Sequence, residues 1–338
     1  MKEVRVAIVG FGGIARAHYS GYQVLKRENA PVKLVAVCDV DQSKFTQHVK
    51  INLDGEQEML DKDINTYLSV DELIANEDFD MADICLPSFL HKEYAVKLLK
   101  ADKHVMCEKP MALSAAECEE MIAASKESGK KLMIGQCLRF NNVYSYLKDC
   151  VVDGRFGKIR NLFMHRKSAQ PRWGFEHWFE KTDKCGGCIL DMHIHDIDMA
   201  RYLLGEPYAV SCMAYDADVR WSVENSRLYY KDVMVVADGS WDESSSQQFR
   251  SGFSARFEKA QVVCDNSGLT VYPDGGEAFK PELPATNHMA EEIRFFTSTI
   301  LDETLVNEKN PPESAYMTVK LIEKLRESAE KCGEIVKV

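Results

Sequence analysis

At 338 residues, with 45% hydrophobic and 28% charged side chains, the chain has ordinary globular composition and the length of two domains, which excludes a disordered protein. Its formal net charge of -11 excludes a general binder of nucleic acid or anionic membranes, although a local site for an anionic cofactor remains open. Eleven cysteines spread through strand-like and helix-like segments, no apolar run of membrane length, and no signal-peptide pattern before Val4 together predict reduced thiols in the cytoplasm.

The first third alternates strand and helix. Val4–Val9 is apolar apart from Arg5, and a helix is expected from the following glycines to about Arg27. Val32–Cys38 reads as a second strand ending at Asp39. A helix near Ser43–Val49, a short strand near Thr66–Leu68 and a helix near Asp71–Ala75 follow. Ala82–Leu86 and His104–Cys107 are further strands, separated by a helix whose apolar stripe is Tyr94, Ala95, Leu98 and Leu99. Ser114 and Glu117 form a capping box for the next helix, which stops at Gly129, and Leu132–Gly135 is a sixth strand. Repeated β-α units predict a parallel, doubly wound sheet over residues 1–135.

Between the first strand and first helix lies Gly10-Phe11-Gly12-Gly13-Ile14-Ala15. Gly10 permits the tight turn, Gly12 lets backbone approach a pyrophosphate, and Ala15 is small enough for the helix to pack on the strand. The N–H groups and dipole at the helix start favour the phosphates. Asp39, ending the second strand, suits adenosine ribose hydroxyls and repels a 2′-phosphate, and the following Val40 and Asp41 supply no cation. These residues predict a dinucleotide site for NAD rather than NADP.

Val105-Met106-Cys107-Glu108-Lys109-Pro110 places a charged pair where a buried strand ends. Unpaired buried charge is expensive, yet the crevice beyond the strand ends of an open α/β sheet is where ligands bind. Taken alone, the hexamer fits a solvated ion pair equally well.

The second half, residues 136–338, changes rhythm. A helix near Val143–Val152 precedes β-prone segments near Ile159–Lys167, Tyr208–Tyr215, Asp232–Ser240, Phe249–Phe257, Gln261–Cys264 and Leu269–Tyr272. So few intervening helices predict a largely antiparallel sheet. Asp238–Gln248 is the expected hairpin loop, and helices near His288–Leu301 and Ser314–Lys331 close the chain.

Within this half, Gly186-Gly187-Cys188-Ile189-Leu190-Asp191-Met192-His193-Ile194-His195-Asp196-Ile197-Asp198 carries a second group of reactive side chains. One continuous helix would put Asp191, His195 and Asp198 on a single face, where a carboxylate one turn from a histidine can orient its ring as a general base requires. An isolated D-x-x-x-H is more often a solvated helix face. His193 and His195 lie two apart, unlike the i, i+4 histidines of helical zinc sites, and Cys185-x-x-Cys188 lacks a second pair. No metal site is expected.

Four motifs in this order, the glycine turn, Glu108-Lys109-Pro110, Gly135 with Arg139-Phe140, and Gly186-Gly187 with Asp191, His195 and Asp198, make the chain resemble the Gfo/Idh/MocA oxidoreductases. The resemblance spans nearly the whole length. It implies a Rossmann domain followed by an α/β domain with a large open sheet that often makes homodimers or homotetramers. It implies reversible oxidation of a secondary alcohol on a sugar, polyol or inositol. Lys109 then matches the catalytic lysine, often preceding a cis proline bond, His195 the general base, and Asp191 the orienting carboxylate. The cofactor would meet Gly10, Gly12, Gly13, Ile14, Ala15, Asp39, Glu108 and Lys109, with Pro87 and His91 bordering the nicotinamide ribose.

Arg139, Arg172, Trp173 and Asp198 are candidates to meet substrate, as are His165, Arg166, Trp178 and Trp241. Tryptophan and arginine suit sugar faces and hydroxyls. Two other function classes stay open: a glycosidase that uses held NAD for transient oxidation, and a non-catalytic dinucleotide-responsive regulator. Retention of Lys109, Asp191 and His195 together weighs against the regulator.

Overall fold

Val4–Val9 is buried along nearly its whole length, as a strand paired on both sides and covered by helices must be. In the computed structural model, which describes residues 3–47 and 59–338, this run is β1. It is followed by α1 (Gly13–Arg27), β2 (Val32–Cys38), β3 (Asn65–Tyr67), α2 (Val70–Asn76) and β4 (Met81–Ile84). Then come α3 (His91–Lys100), β5 (His104–Glu108), α4 (Ala115–Ser128) and β6 (Leu132–Gly135). The sheet order β3-β2-β1-β4-β5-β6 is that of a doubly wound nucleotide-binding sheet, and every pairing in it is parallel. Strand order reverses between β1 and β4, so the loops after these two strands border the crevice. The helix expected over 43–49 is instead a 3₁₀ turn at Gln42–Phe45; positions 48 and 49 lie outside the described residues.

The remaining elements are α5 (Asn142–Asp153), β7 (Ile159–Lys167), α6 (Thr182–Cys185), α7 (Cys188–Asp191), α8 (Ile194–Leu204), β8 (Ala209–Tyr215) and β9 (Val223–Tyr229). They continue through β10 (Met234–Ser240), β11 (Arg250–Phe257), β12 (Ala260–Asp265), β13 (Gly268–Pro273), α9 (His288–Leu301), α10 (Pro312–Glu330) and β14 (Val336–Lys337). The second sheet runs β13-β12-β11-β7-β10-β9-β8-β14. Only the β7–β10 pairing in it is parallel; the others are antiparallel.

Two expectations need correction here. Residues 238–240 belong to β10, and the segment beyond them is no hairpin, because β10 and β11 flank β7 rather than each other. Strand β9 escaped the sequence reading because two of its inward positions hold Glu224 and Ser226, not apolar groups.

The chain divides into two compact units, and neither is continuous. Residues 286–316 fold with 1–112 and 116–140, while 113–115, 141–285 and 317–338 form the second unit. An uninterrupted second domain from residue 136 is therefore not what forms. The physical reason is α9, whose Ala290, Ile293, Phe296 and Ile300 complete the core built by Val6, Ile8, Ala15, Tyr19 and Tyr22. At Gly21 the two helices come so close that a Cβ would stand 3.0 Å from the Ala290 nitrogen.

Candidate active site

In the first unit, Gly10 has φ +88°, and a Cβ there would lie 2.7 Å from the Cys85 carbonyl. Only glycine serves, because the turn after β1 presses on the start of the loop after β4. Gly12 has open space where a Cβ would be. It is the N-cap of α1, whose first turn carries no acidic side chain. These residues fit a dinucleotide: uncapped N–H groups of a 15-residue helix face an approach kept clear of side chains. Asp39 closes the same end of the sheet, its Oδ2 accepting from the Phe11 N–H at 2.7 Å.

Glu108 ends β5 and is buried. Its Oε2 accepts from the Lys109 N–H at 3.0 Å and its Oε1 lies 2.9 Å from His18 Nε2. His18 Nδ1 is 2.9 Å from Asp83 Oδ2, which also accepts from the Tyr22 hydroxyl at 2.9 Å. A neutral imidazole donates once, whereas two carboxylates at opposite nitrogens require two N–H groups, so His18 is an imidazolium. Burial opposes that charge, but Asp83 raises the pKa of His18 well above its ordinary value. Burial would likewise raise Glu108; the bond to His18 and the charges of His18 and Lys109 hold it below the usual glutamate range. His18 thereby fixes the carboxylate that anchors the backbone of Lys109.

This network yields a stability prediction. A pKa raised in the folded state adds stability that is complete below the unfolded value of 6.5 and is lost as pH rises through the folded value. Removing His18 also leaves two buried carboxylates without their cation, so His18→Ala is expected to cost about 3–5 kcal/mol. Thermal unfolding followed from pH 6.5 upward should show the downward slope in the parent and a smaller one in His18→Gln. Equal slopes would remove the imidazolium.

The Lys109–Pro110 peptide is cis. The Pro110 carbonyl lies 2.7 Å from His91 Nδ1, and His91 Nε2 lies 2.8 Å from the Leu86 carbonyl. His91 therefore ties the loop after β4 to the loop after β5. The sequence reading set it against the nicotinamide ribose, but it is buried and both ring nitrogens face protein carbonyls. Burial lowers its pKa despite those two acceptors. Pro87 is half-buried in the same loop, just before the short 3₁₀ turn Ser88–Leu90.

In the second unit, Gly186 and Gly187 both take φ +78° and lead into α7. The expected single helix through Asp191, His195 and Asp198 is broken at Met192-His193. The His193 N–H bonds to the Cys188 carbonyl five residues back, and α8 starts at Ile194. Asp191 and His195 are each half-buried, on either side of that break. Asp198 is only 1% exposed and accepts from the Thr318 hydroxyl at 2.9 Å, which places it in the interior rather than on an open helix face.

The two histidines differ sharply. His193 is 0% exposed, its Nε2 is 2.9 Å from Ser226 Oγ, and burial with the Arg166 charge lowers its pKa to about 3. It cannot take up a proton near neutrality. His195 is half-buried and so the more accessible of the pair, although its Nδ1 is buried.

Several substrate candidates have committed partners. Arg139 is buried and donates to the Lys309 carbonyl at 2.9 Å and to Ser314 Oγ at 2.8 Å. Arg172 is exposed and pairs with Asp218, while Trp173 stands edge-on to Phe179 at 5.0 Å. Trp178 and Trp241 are buried, and Arg166 bonds Asp196 at 3.2 Å. Cys185 and Cys188 are buried thiols, not bonded to each other, and burial raises the pKa of each. Sequence reasoning missed His18; the available signal was His18 and Tyr22 at i, i+4 on the buried side of an otherwise amphipathic helix.

Comparison with known proteins gives two family matches: "Oxidoreductase family, NAD-binding Rossmann fold" over residues 4–136, and "GFO/IDH/MocA C-terminal domain" over residues 144–266. Myo-inositol 2-dehydrogenase of Thermotoga maritima is 31% identical over 270 residues, covering 80% of this chain and 70% of that protein. The 2,7-anhydro-N-acetylneuraminate hydratase of Escherichia coli is 34% identical over 138 residues, 41% of this chain and 37% of its own length. The match thus spans little more than a third of that relative. Aldose-aldose oxidoreductase from Caulobacter crescentus, solved with glycerol, superposes with a TM-score of 0.81 at 22% identity, covering 99% of this chain and 100% of that one. Among the described residues no helix is long and apolar enough to cross a membrane.

Proposed function

Because the chain belongs to the Gfo/Idh/MocA oxidoreductase family, with an NAD-binding Rossmann fold at residues 4–136, we propose that it is an NAD-dependent dehydrogenase of a secondary alcohol on a sugar, polyol or inositol. The observation that carries this reading is the presence in one chain of an uncapped glycine turn, Asp39, Lys109 just after β5 and a half-buried His195. Gly10, Gly12, Gly13, Ile14 and Ala15 would hold the pyrophosphate, and Asp39 the adenosine ribose. NAD, when bound, supplies the hydride acceptor. Lys109 is assigned hydrogen-bond donation to the reacting oxygen, which stabilises negative charge as it develops. His195 is assigned removal of the hydroxyl proton, and Asp191 the orienting carboxylate and a ligand to substrate hydroxyls. Glu108, anchored by His18, supports the lysine backbone beside the cofactor. Arg172 and Trp173, both accessible, remain the better candidates to meet substrate; Arg139 and Asp198 serve the interior.

The test is a screen of sugars, inositols, polyols and glycosides with NAD, following absorbance of the reduced nicotinamide. NADH released in step with substrate oxidised is the expected result. The name of the E. coli relative, a hydratase, denotes a reaction without net redox change and gives the alternative its weight. Substrate conversion or glycoside cleavage with no accumulated NADH would replace the dehydrogenase by transient oxidation, and tight NAD binding with no conversion at all would favour a regulator.

We also assign the second sheet to self-association as a homodimer or homotetramer. Phe163, Met234 and Tyr229 share one face of that sheet by register, and Phe163 and Met234 are exposed there. Large exposed apolar patches are rare on monomers. Sedimentation should return a dimer or tetramer mass, and a monomer at micromolar concentration would refute the assignment.

A further inference from the structure

Asp39 is a saturated carboxylate. Its Oδ2 accepts from the Phe11 N–H at 2.7 Å and the Lys44 ammonium at 3.0 Å; its Oδ1 accepts from the Asp41 N–H at 2.9 Å and the same ammonium at 3.1 Å. A carboxylate has about four lone-pair sites, and these contacts use all of them. Ribose hydroxyls can therefore bond Asp39 only by taking the places that Lys44 holds.

The lysine is brought there by the 3₁₀ turn Gln42–Phe45, beyond positions 40 and 41, which hold no cation. Arg16 pins that turn. Its guanidinium donates to the Lys44 carbonyl at 2.6 Å and the Gln47 carbonyl at 2.8 Å, and lies 4.1 Å from the centroid of Phe11. Among the described residues that make these contacts, Asp39 and Asp41 contribute two negative charges and Lys44 and Arg16 two positive, so the four charges balance. Repulsion of a 2′-phosphate, the usual consequence of an acid at the end of β2, is thereby cancelled.

We propose that Lys44 is a movable counter-ion that lets the Asp39 corner accept the 2′-phosphate of NADP(H) as well as the ribose hydroxyls of NAD(H). With NAD(H), the ammonium yields its place on Asp39 to the ribose and turns to solvent. With NADP(H), the same displaced ammonium pairs with the 2′-phosphate, while Arg16 positions the turn. The proposal rests on dinucleotide binding at this sheet end, not on the identity of the alcohol oxidised.

Direct titration of NADH and NADPH by nicotinamide fluorescence, without substrate, tests it in the full chain. The parent is expected to bind both, with dissociation constants within about tenfold of each other. Lys44→Gln, a change on a partly exposed turn, should weaken NADPH by about tenfold or more while NADH binds as well or better. Lys44→Arg, which keeps the charge, should retain NADPH. Added salt should weaken NADPH in the parent more than in Lys44→Gln. An unchanged NADPH:NADH ratio in Lys44→Gln, or a parent that binds NADH but not NADPH, overturns the role of Lys44. A parent that binds neither overturns the dinucleotide reading with it.

Discussion

His195→Ala is expected to lower kcat by about two to four orders of magnitude, the usual contribution of a positioned general base, while NADH binds as in the parent. The choice between the two histidines of this segment is physical. His193 is sealed against Ser226 and held neutral by burial and the Arg166 charge, so it has neither access nor a usable pKa. His195, two residues on, sits past the break at the start of α8 with part of its surface open. His193→Ala should accordingly lower thermal stability, through a cavity and the loss of the hydrogen bond to Ser226, with a much smaller loss of kcat. Initial rates and nicotinamide titrations on the two variants decide the matter. Near-normal turnover in His195→Ala would take that residue out of the mechanism, whatever the stability data say.

The second large effect is expected at Lys109. Lys109→Ala should reduce kcat by about two to three orders of magnitude, the range for losing one donor to a developing oxyanion, and change NADH affinity by no more than a few fold. Its backbone is held on both sides: the N–H bonds the Glu108 carboxylate, and the carbonyl of Pro110 meets His91. That scaffold survives the substitution, so the loss reports the ammonium itself. Lys109→Arg should not restore the rate, because a broad planar fork with delocalised charge cannot put one point charge where the ammonium stood. Separate kcat and KM values are needed. A rise in KM with kcat intact would make Lys109 a substrate-binding group and not a catalytic one.

What the sequence conveyed and what it hid follow from how far each signal reaches along the chain. The glycine turn, Asp39 and Glu108-Lys109-Pro110 are legible as short runs of sequence, and the structure has the turn, the buried carboxylates and the cis Lys109–Pro110 peptide, although Gly10, Asp39 and Glu108 meet partners as distant as Cys85, Phe11 and His18. The parallel, doubly wound character of the first sheet was legible because helix-length crossovers leave little topological choice. Strand β9 was hidden because Glu224 and Ser226 occupy its inward positions, and burial pushes the pKa of Glu224 up to about 8 so that it can stay there uncharged. The straight helix through Asp191 and His195 failed at one backbone bond, from His193 to Cys188 instead of Ile189, a slip of one residue that no periodicity records. Lys44 and His18 were missed because their meaning depends on partners 5 residues away across a turn and 65 and 90 residues away across the sheet.

The return of α9 to the first unit has a consequence for how this chain comes into being. A nascent polypeptide that has left the ribosome only as far as β6 owns all six described strands of its nucleotide-binding sheet, yet Tyr19, Tyr22 and Leu25 still lack the apolar surface that Ile293 and Phe296 bring. That unit must wait, unfinished, until residues 286–316 have emerged as well. A gene cut after residue 140 would for the same reason yield a fragment with an uncovered greasy flank rather than a free-standing cofactor module.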